Sequence, residues 1–289
     1  MPAHNAAWYD AQYNNRAMVP DFADHLAHWA SASAATRAQG GALLDLPYGS
    51  GPGMTLDVFE PPRPNAPVAV FIHGGYWRAL DKSDFSFVAP ALRAQGACTV
   101  VVNYALCPGT PAQPIGIADI ALQMTQALAQ VWRHARDWGG DPGRIRVLGH
   151  SAGGHLAAML QACDWRAVDP ALPADLVPRA LSISGLFDLR SLLDAAFLQT
   201  DLRLDMAQAR RVSPALWPAP SRGQLLAVVG GDESAEFQRQ NRLIRRAWGA
   251  ARVPVCQSLP GLNHFSIMSG LSDPASPMHG LLAKLLQDA

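Results

Sequence analysis

Gly149-His150-Ser151-Ala152-Gly153 is a G-x-S-x-G motif, set between a strand-like run, Arg144–Leu148, and a helical pattern that begins at Ala152. A serine on so sharp a strand-to-helix turn is pushed out of the sheet edge, in a strained backbone that tolerates only small neighbours. Ala152, Gly153 and Gly154 meet that demand. The free N–H groups where the helix starts favour negative charge developing close by. Ser151 is the candidate nucleophile, and acyl transfer is the chemistry it suits.

An acyl-transfer serine needs donors for the oxygen that becomes negative. His73-Gly74-Gly75-Tyr76-Trp77 directly follows the apolar run Pro67–Ile72. Two glycines let the backbone turn its amides toward one point, and losing one such donor typically costs about 100- to 1,000-fold in rate. The candidate oxyanion hole is Gly74, Gly75 and Tyr76 together with Ala152. By spacing, the N–H groups of Gly75, Tyr76 and Ala152 are the donors.

The serine also needs a base and the base needs an acid. The chain has nine histidines, so type alone decides nothing. Only His264, in Gly261-Leu262-Asn263-His264-Phe265, follows the last strand-like run and precedes the last helix. The chain order serine, acid, histidine requires the base there. The acid comes from Gly230-Gly231-Asp232-Glu233-Ser234, after the strand-like Leu225–Val229. Its task is to hold the imidazole tautomer and stabilise the imidazolium. Glu233 has the favoured spacing from Gly230. Asp232 is the alternative, or else a cap for the helix that starts near Ala235. Asp188 is a weaker third candidate.

Positioning such a set takes a regular frame. From residue 41 onward strand-length apolar runs alternate with helical patterns: strands at Thr55–Glu60, Pro67–Ile72, Cys98–Asn103, Arg144–Leu148, Ala180–Ser184, Leu225–Val229 and Val253–Leu259. Helices are expected over Ser83–Gln95, Ile117–Trp138, Ala152–Cys163, Ala235–Trp248 and Met278–Leu286. This alternation implies an α/β fold, a mostly parallel sheet covered by helices on both faces, with Thr55–Glu60 antiparallel in an opening hairpin. Between Gly185 and Ser221 it lapses into helical and Pro-containing sequence, so residues 186–221 are expected to form a small helical cap insertion above the C-terminal sheet edge. The cap helices are expected over Leu186–Leu193 and Asp201–Val212. Residues 1–40, with Trp8, Tyr9, Tyr13, Phe22 and Trp29 among polar residues, read as short helices; they either wall a pocket as a lid or simply pack. No linker divides residues 1–289, which are expected to form a single domain.

Composition narrows the function classes. Lysine plus arginine number 23, against 23 aspartate plus glutamate, so there is no net field to attract nucleic acid or anionic membrane. At 49% hydrophobic and 16% charged residues the chain is not disordered. No apolar run approaches the ~20 residues needed to span a bilayer, and Met1–Asp10 has no leader pattern, so a cytoplasmic location is expected. Cys98, Cys107, Cys163 and Cys256 have neither disulfide-scaffold nor zinc-ligand spacing. No metal or cofactor is expected, and the expected partner is a small-molecule ester or amide.

The motifs together resemble an α/β-hydrolase of the arylformamidase (kynurenine formamidase) type and its bacterial esterase relatives. The resemblance rests on HGGYW (73–77), NYALCP (103–108), GHSAGGHLA (149–157), GGDESAEFQRQ (230–240) and GLNHF (261–265), and covers roughly residues 40–289. In that family the acid, often Asp, directly precedes the S-x-E-F stretch; here Glu233 stands at that place. The resemblance implies hydrolysis of an N-formyl aryl amide or small ester through an acyl-serine, without a metal. Tyr76, Trp77 and the N-terminal aromatics would then be available to stack on an aryl leaving group, though packing is the commoner role of such rings, and Trp77 and His150 are taken as pocket-wall candidates. A short-chain carboxylesterase is the alternative function. A non-catalytic hydrolase-fold binding protein is disfavoured, because a scaffold need not keep nucleophile, base, acid and oxyanion glycines together.

Overall fold

The computed structural model describes residues 4–287. Among them eight strands form one sheet: β1 Ala42–Pro47, β2 Thr55–Phe59, β3 Ala66–Ile72, β4 Cys98–Val102, β5 Gly140–His150, β6 Arg179–Ile183, β7 Gln224–Gly230 and β8 Val255–Leu259. Their order is β1-β2-β4-β3-β5-β6-β7-β8. β1 and β2 pair antiparallel and β2 runs antiparallel to β4, whereas every pairing from β4 across to β8 is parallel. β1 is a strand that the sequence pattern did not announce.

The helices are α1 Ala6–Tyr13, α2 Asn15–Met18, α3 Phe22–Ala38, α4 Ala89–Ala94, α5 Ile117–His134, α6 Ala152–Gln161, α7 Trp165–Val168, α8 Ala196–Leu202, α9 Met206–Arg211, α10 Ala235–Trp248, α11 Ser266–Ser269 and α12 Pro277–Leu286. Two expected helices come out broken. Over 83–95 the chain makes two 3-10 turns, Lys82–Asp84 and Ser86–Val88, before α4, because Asp81 caps the first turn and Pro90 fits only the start of a helix. Over 201–212 the left-handed Arg203 ends α8, and a fresh cap at Asp205 starts α9. Residues 186–221 contain α8, α9 and the 3-10 turns Leu189–Asp194 and Pro214–Leu216, so the helix expected over Leu186–Leu193 is a 3-10 turn instead.

The central strands are largely apolar because both faces of the sheet are covered, although β5 also buries Arg146. Along β3, Val68, Val70 and Ile72 enter one core cluster while Ala69 and Phe71 enter the other. α5 buries Ile117, Ile120, Met124, Ala127, Leu128 and Val131, the i, i+3, i+4, i+7 stripe of a helix laid on the first face. Trp29 of α3 is buried on the second face, stacked near Phe87 and tilted against Phe85. The N-terminal segment is therefore part of the core. Truncating so large a buried ring typically costs about 3–5 kcal/mol. Among the described residues, no helix is long and apolar enough to cross a membrane.

Candidate active site

The sheet register brings the two candidate loops side by side. Ile72 at the end of β3 pairs with Gly149 of β5, so the His73–Trp77 loop leaves the sheet next to the turn that carries Ser151. Ser151 has φ 56° and ψ −117°, the strained elbow expected of a nucleophile between strand and helix. Its N–H donates to Ile183 O at 2.8 Å, which ties the elbow to β6. A Cβ on Gly149 would collide with the Gly153 carbonyl, and one on Gly153 with the carbonyl of Ile72. The turn closes only with glycine at both places. Ser151 makes no side-chain cap to α6, whose first-turn N–H groups lack intrahelical partners.

The His73–Trp77 loop takes an unusual backbone course. Gly75, Tyr76 and Trp77 all have positive φ, at 102°, 50° and 57°. A Cβ on Gly74 would come within 3.0 Å of the Ser151 Cβ, so the missing side chain is what allows the loop this close. The NYALCP segment braces it from behind. Tyr104 Oη donates to His73 O at 2.9 Å and to Gly74 O at 3.2 Å, its ring stacks on His73 at 4.2 Å, and His73 Nε2 lies 2.9 Å from Asn103 Oδ1.

His264 follows β8, and its Nδ1 lies 2.7 Å from Glu233 Oε2. Both side chains are buried, and the Glu233 carboxylate is fully so. The other oxygen, Oε1, accepts the Gly230 N–H at 2.7 Å and the Ser184 hydroxyl. Ser184 had no sequence signal: it is one serine at the end of one strand, and only the fold carries it to the acid. Its own backbone is left-handed, φ 54°, and its N–H donates to Val228 O at 2.7 Å. His150 Nε2 donates to the His264 carbonyl at 2.8 Å, and burial holds His150 well below the ordinary histidine pKa. This bond helps to fix the backbone that carries the His264 side chain.

Of the three carboxylates weighed for the acid, only Glu233 reaches the imidazole. Asp232 is exposed. Nor does Asp232 cap α10: the cap is Ser234, which accepts from Phe237 N. Asp188 is bound by Arg190, Oδ2 to guanidinium at 2.7 Å, and is spent there.

Ser151, His264, His150, Gly75 and Tyr76 all face one cavity of about 330 Å³. Gly74 and Ala152 adjoin this wall in sequence. Trp77, expected on the wall, is instead wholly buried, with its indole edge-on to His155 at 5.0 Å. The left-handed step at Tyr76 and Trp77 sends the phenol to the cavity and the indole into the core. More of the wall comes from Arg78, Leu80 and Phe265 beside these loops. Tyr13, Asn15 and Trp29 enter from α1–α3, and Phe197 and Asp201 from α8.

With the geometry established, similarity to known proteins becomes informative. Residues 56–171 match the BD-FAE family model. The chain is 30% identical to the kynurenine formamidase of Danio rerio over 252 residues, 84% of this chain and 82% of that one. It is 44% identical to a carboxylesterase of Mycobacterium tuberculosis over 107 residues, 36% of this chain and 32% of the other. A solved Silicibacter structure that carries a provisional thioesterase name superimposes with a TM-score of 0.79 at 30% identity, covering 94% of this chain and 98% of that one. Identity sustained over most of both chains, on an eight-stranded sheet of this order, means that the chain belongs to the α/β-hydrolase family that includes the kynurenine formamidases and carboxylesterases.

Proposed function

We propose that the protein is a serine hydrolase that removes a small acyl or formyl group from an aryl amide or ester through an acyl-Ser151 intermediate. The observation that carries this reading is the buried Glu233–His264 pair at 2.7 Å, with its imidazole sharing one cavity wall with Ser151. His264 takes the Ser151 proton as the hydroxyl oxygen attacks the carbonyl carbon. The carbonyl oxygen gathers negative charge facing the amides of Gly75, Tyr76 and Ala152. His264 then gives its proton to the departing amine or alcohol. Water repeats the sequence on the acyl-serine and releases the acid. Glu233 holds the imidazole in place and stabilises the imidazolium.

An aryl leaving group is supported by the ring surface around the serine, where Trp29, Tyr76, Phe197 and Phe265 line the cavity. The kynurenine formamidase relative matches most of this chain, which favours the amide reading. A short-chain carboxylesterase uses the same machinery, and the shorter but higher-identity match to the mycobacterial carboxylesterase supports it as the second reading. Parallel kcat/KM measurements on an N-formyl arylamine and a series of p-nitrophenyl esters separate the two. The amide reading requires the formamide to be turned over with a kcat/KM at least comparable to that of the best ester. No turnover of either class by wild-type protein would overturn both.

A further inference from the structure

Tyr76 and Trp77 are consecutive residues with bulky side chains, yet both stand in the left-handed region, at φ 50° and 57°. Such backbone persists only where its surroundings over-determine it, so each of the two must be held. Trp77 is held by the core. The residue is wholly buried, and its carbonyl accepts the Cys107 N–H at 2.8 Å. Tyr76 is held from the other side, by the N-terminal segment. Its hydroxyl donates to the Tyr13 carbonyl at 2.7 Å. Burial raises the Tyr76 phenol well above its ordinary pKa, so the proton that makes this bond stays in place.

Tyr13, the last residue of α1, is itself a firm anchor. Its side chain is fully buried, and its hydroxyl donates to Glu236 Oε1 at 2.7 Å and accepts from Gln240 Nε2 at 3.2 Å. Glu236 is buried too and is paired with Arg239. Its N–H donates to Gln12 Oε1 at 3.2 Å, a second tie along the same line. α1 is thereby fastened to α10, which starts two residues after Glu233. The Tyr13 ring also meets the Phe237 ring edge-on at 5.9 Å, and Phe237 lies 4.8 Å from the His264 imidazole. Tyr13 thus stands between the His73–Trp77 loop and the segments that carry acid and base.

We propose that Tyr76, through its hydroxyl, is a positioning residue for the oxyanion donors, and that the end of α1 is the fixed point to which it is held. Released from Tyr13, the loop can relax toward negative φ at Tyr76. That rotation turns the Gly75–Tyr76 peptide plane and swings its N–H away from Ser151. The proposal rests on the hydrolase reading for what those amides do, but the tie itself is independent of any reaction.

Tyr76→Phe removes the hydroxyl and keeps the ring and the backbone N–H. Full-length wild type and variant are compared, with thermal melting as the check on folding. For p-nitrophenyl acetate kcat is expected to fall about tenfold with KM within about twofold, between the worth of one neutral hydrogen bond and the loss of a whole oxyanion donor. An aryl trifluoromethyl ketone reads the same donors, because its carbonyl oxygen becomes an oxyanion as Ser151 Oγ adds to the carbon and His264 takes the hydroxyl proton. Its affinity should fall by about the same factor. Hydrogen exchange needs no substrate. The Arg78 and Ala79 amides, both bonded to Gly75 O, should exchange at least about fivefold faster, with β3 and β5 unchanged. Tyr13→Phe, which frees the anchor from Glu236, should move every readout the same way by less. In an active protein, a Tyr76→Phe variant with unchanged kcat overturns the proposal. So does a rise in KM with kcat preserved, or a fall in kcat that the ketone affinity does not follow. Faster exchange in a protein that hydrolyses neither esters nor formamides leaves the tie standing and sinks the serine-hydrolase reading alone.

Discussion

Ser184 donates its hydroxyl to Oε1 of Glu233, while the opposite oxygen of the same carboxylate faces His264 Nδ1 at 2.7 Å. Both oxygens of one buried acid are thus committed, one to the base and one to the neighbouring strand end. A carboxylate gripped on one side only can rotate about its last bond. Gripped on both, it presents a fixed edge to the imidazole.

Ser184→Ala removes one of two donors to Oε1 and leaves the Gly230 N–H in place. A hydrogen bond to a charged group is worth about 1.5–3 kcal/mol, so kcat should fall by roughly tenfold to a hundredfold. Ser184 does not line the cavity, so KM should stay near wild type. Steady-state kinetics with p-nitrophenyl acetate checks the split. A rise in KM with kcat preserved would mean that the serine shapes the pocket rather than the acid.

Ser151→Ala should lose at least about a thousandfold in kcat and melt at nearly the wild-type temperature, since only a hydroxyl at the cavity wall is removed. His264→Ala should fall almost as far, and the double variant little further, because the members of such a set act as a unit. An aryl phosphonate should label wild-type protein at Ser151 alone, read by peptide mass spectrometry. Labelling at another serine would overturn the assignment of the nucleophile.

The acyl side of the site should be tight. Gly75, Tyr76 and Ser151 share the wall of a cavity of about 330 Å³ that Trp29, Phe197 and Phe265 also line. Formyl and acetyl donors should exceed octanoyl esters in kcat/KM by roughly tenfold or more, because each misplaced methylene carries a cost of about 1–3 kcal/mol. A p-nitrophenyl ester series from C2 to C8 measures this. Activity that climbs steadily beyond butyryl would replace the formamidase-like reading with a lipase-like one.

Much of this site was legible because its parts are local. The G-x-S-x-G run announces itself, since only glycine fits where 149 and 153 meet other carbonyls. His264 follows from its place after the last strand, and Glu233 from its distance to Gly230. What escaped depends on contacts distant in sequence. The inward turn of Trp77 is decided by the sign of φ in a loop braced by Tyr104. Ser184 carries no motif, and only the fold brings it to the acid. β1 escaped because Ala42–Pro47 is an edge strand with mostly exposed residues, so it shows neither the buried run nor the alternation of an inner strand. The helix cap offered as an alternative role for Asp232 is made instead by Ser234, two residues on, whose hydroxyl accepts from Phe237 N.

Stability should fall in mild acid through histidines that are buried without charge. His155 is completely buried in α6, its Nε2 2.7 Å from Val212 O, and burial pushes its pKa from the ordinary 6.5 to about 4. Above pH 6.5 the ring is neutral in both folded and unfolded chains, so its stabilising effect is fully present. As pH falls from 6.5 toward 4, the unfolded chain takes up a proton that the folded one refuses, and stability drops by up to about 3 kcal/mol. His150, also held well below its ordinary value by burial, adds to the same trend. Thermal melting between pH 7.5 and pH 4 should show this slope, and His155→Gln, which keeps a donor but does not titrate, should flatten it. A variant as acid-sensitive as wild type would mean that His155 contributes nothing to the loss.

The identity of the acid is tested by two neighbouring substitutions. Glu233→Gln keeps the size of the side chain but offers an amide where the imidazolium needs a charge, and it favours the wrong tautomer of His264. The expected loss in kcat is several orders of magnitude, with the fold preserved. Asp232→Asn should change kcat by less than about twofold. Its effect on the melting temperature should also be small, because Ser234 rather than Asp232 caps α10. Ser234→Ala is the substitution that should weaken the helix start, by about 1 kcal/mol. Paired kcat and melting measurements on the three variants separate these roles. If Asp232→Asn abolished turnover and Glu233→Gln did not, the acid would be Asp232, and the 2.7 Å contact between Glu233 and His264 would be a structural bond only.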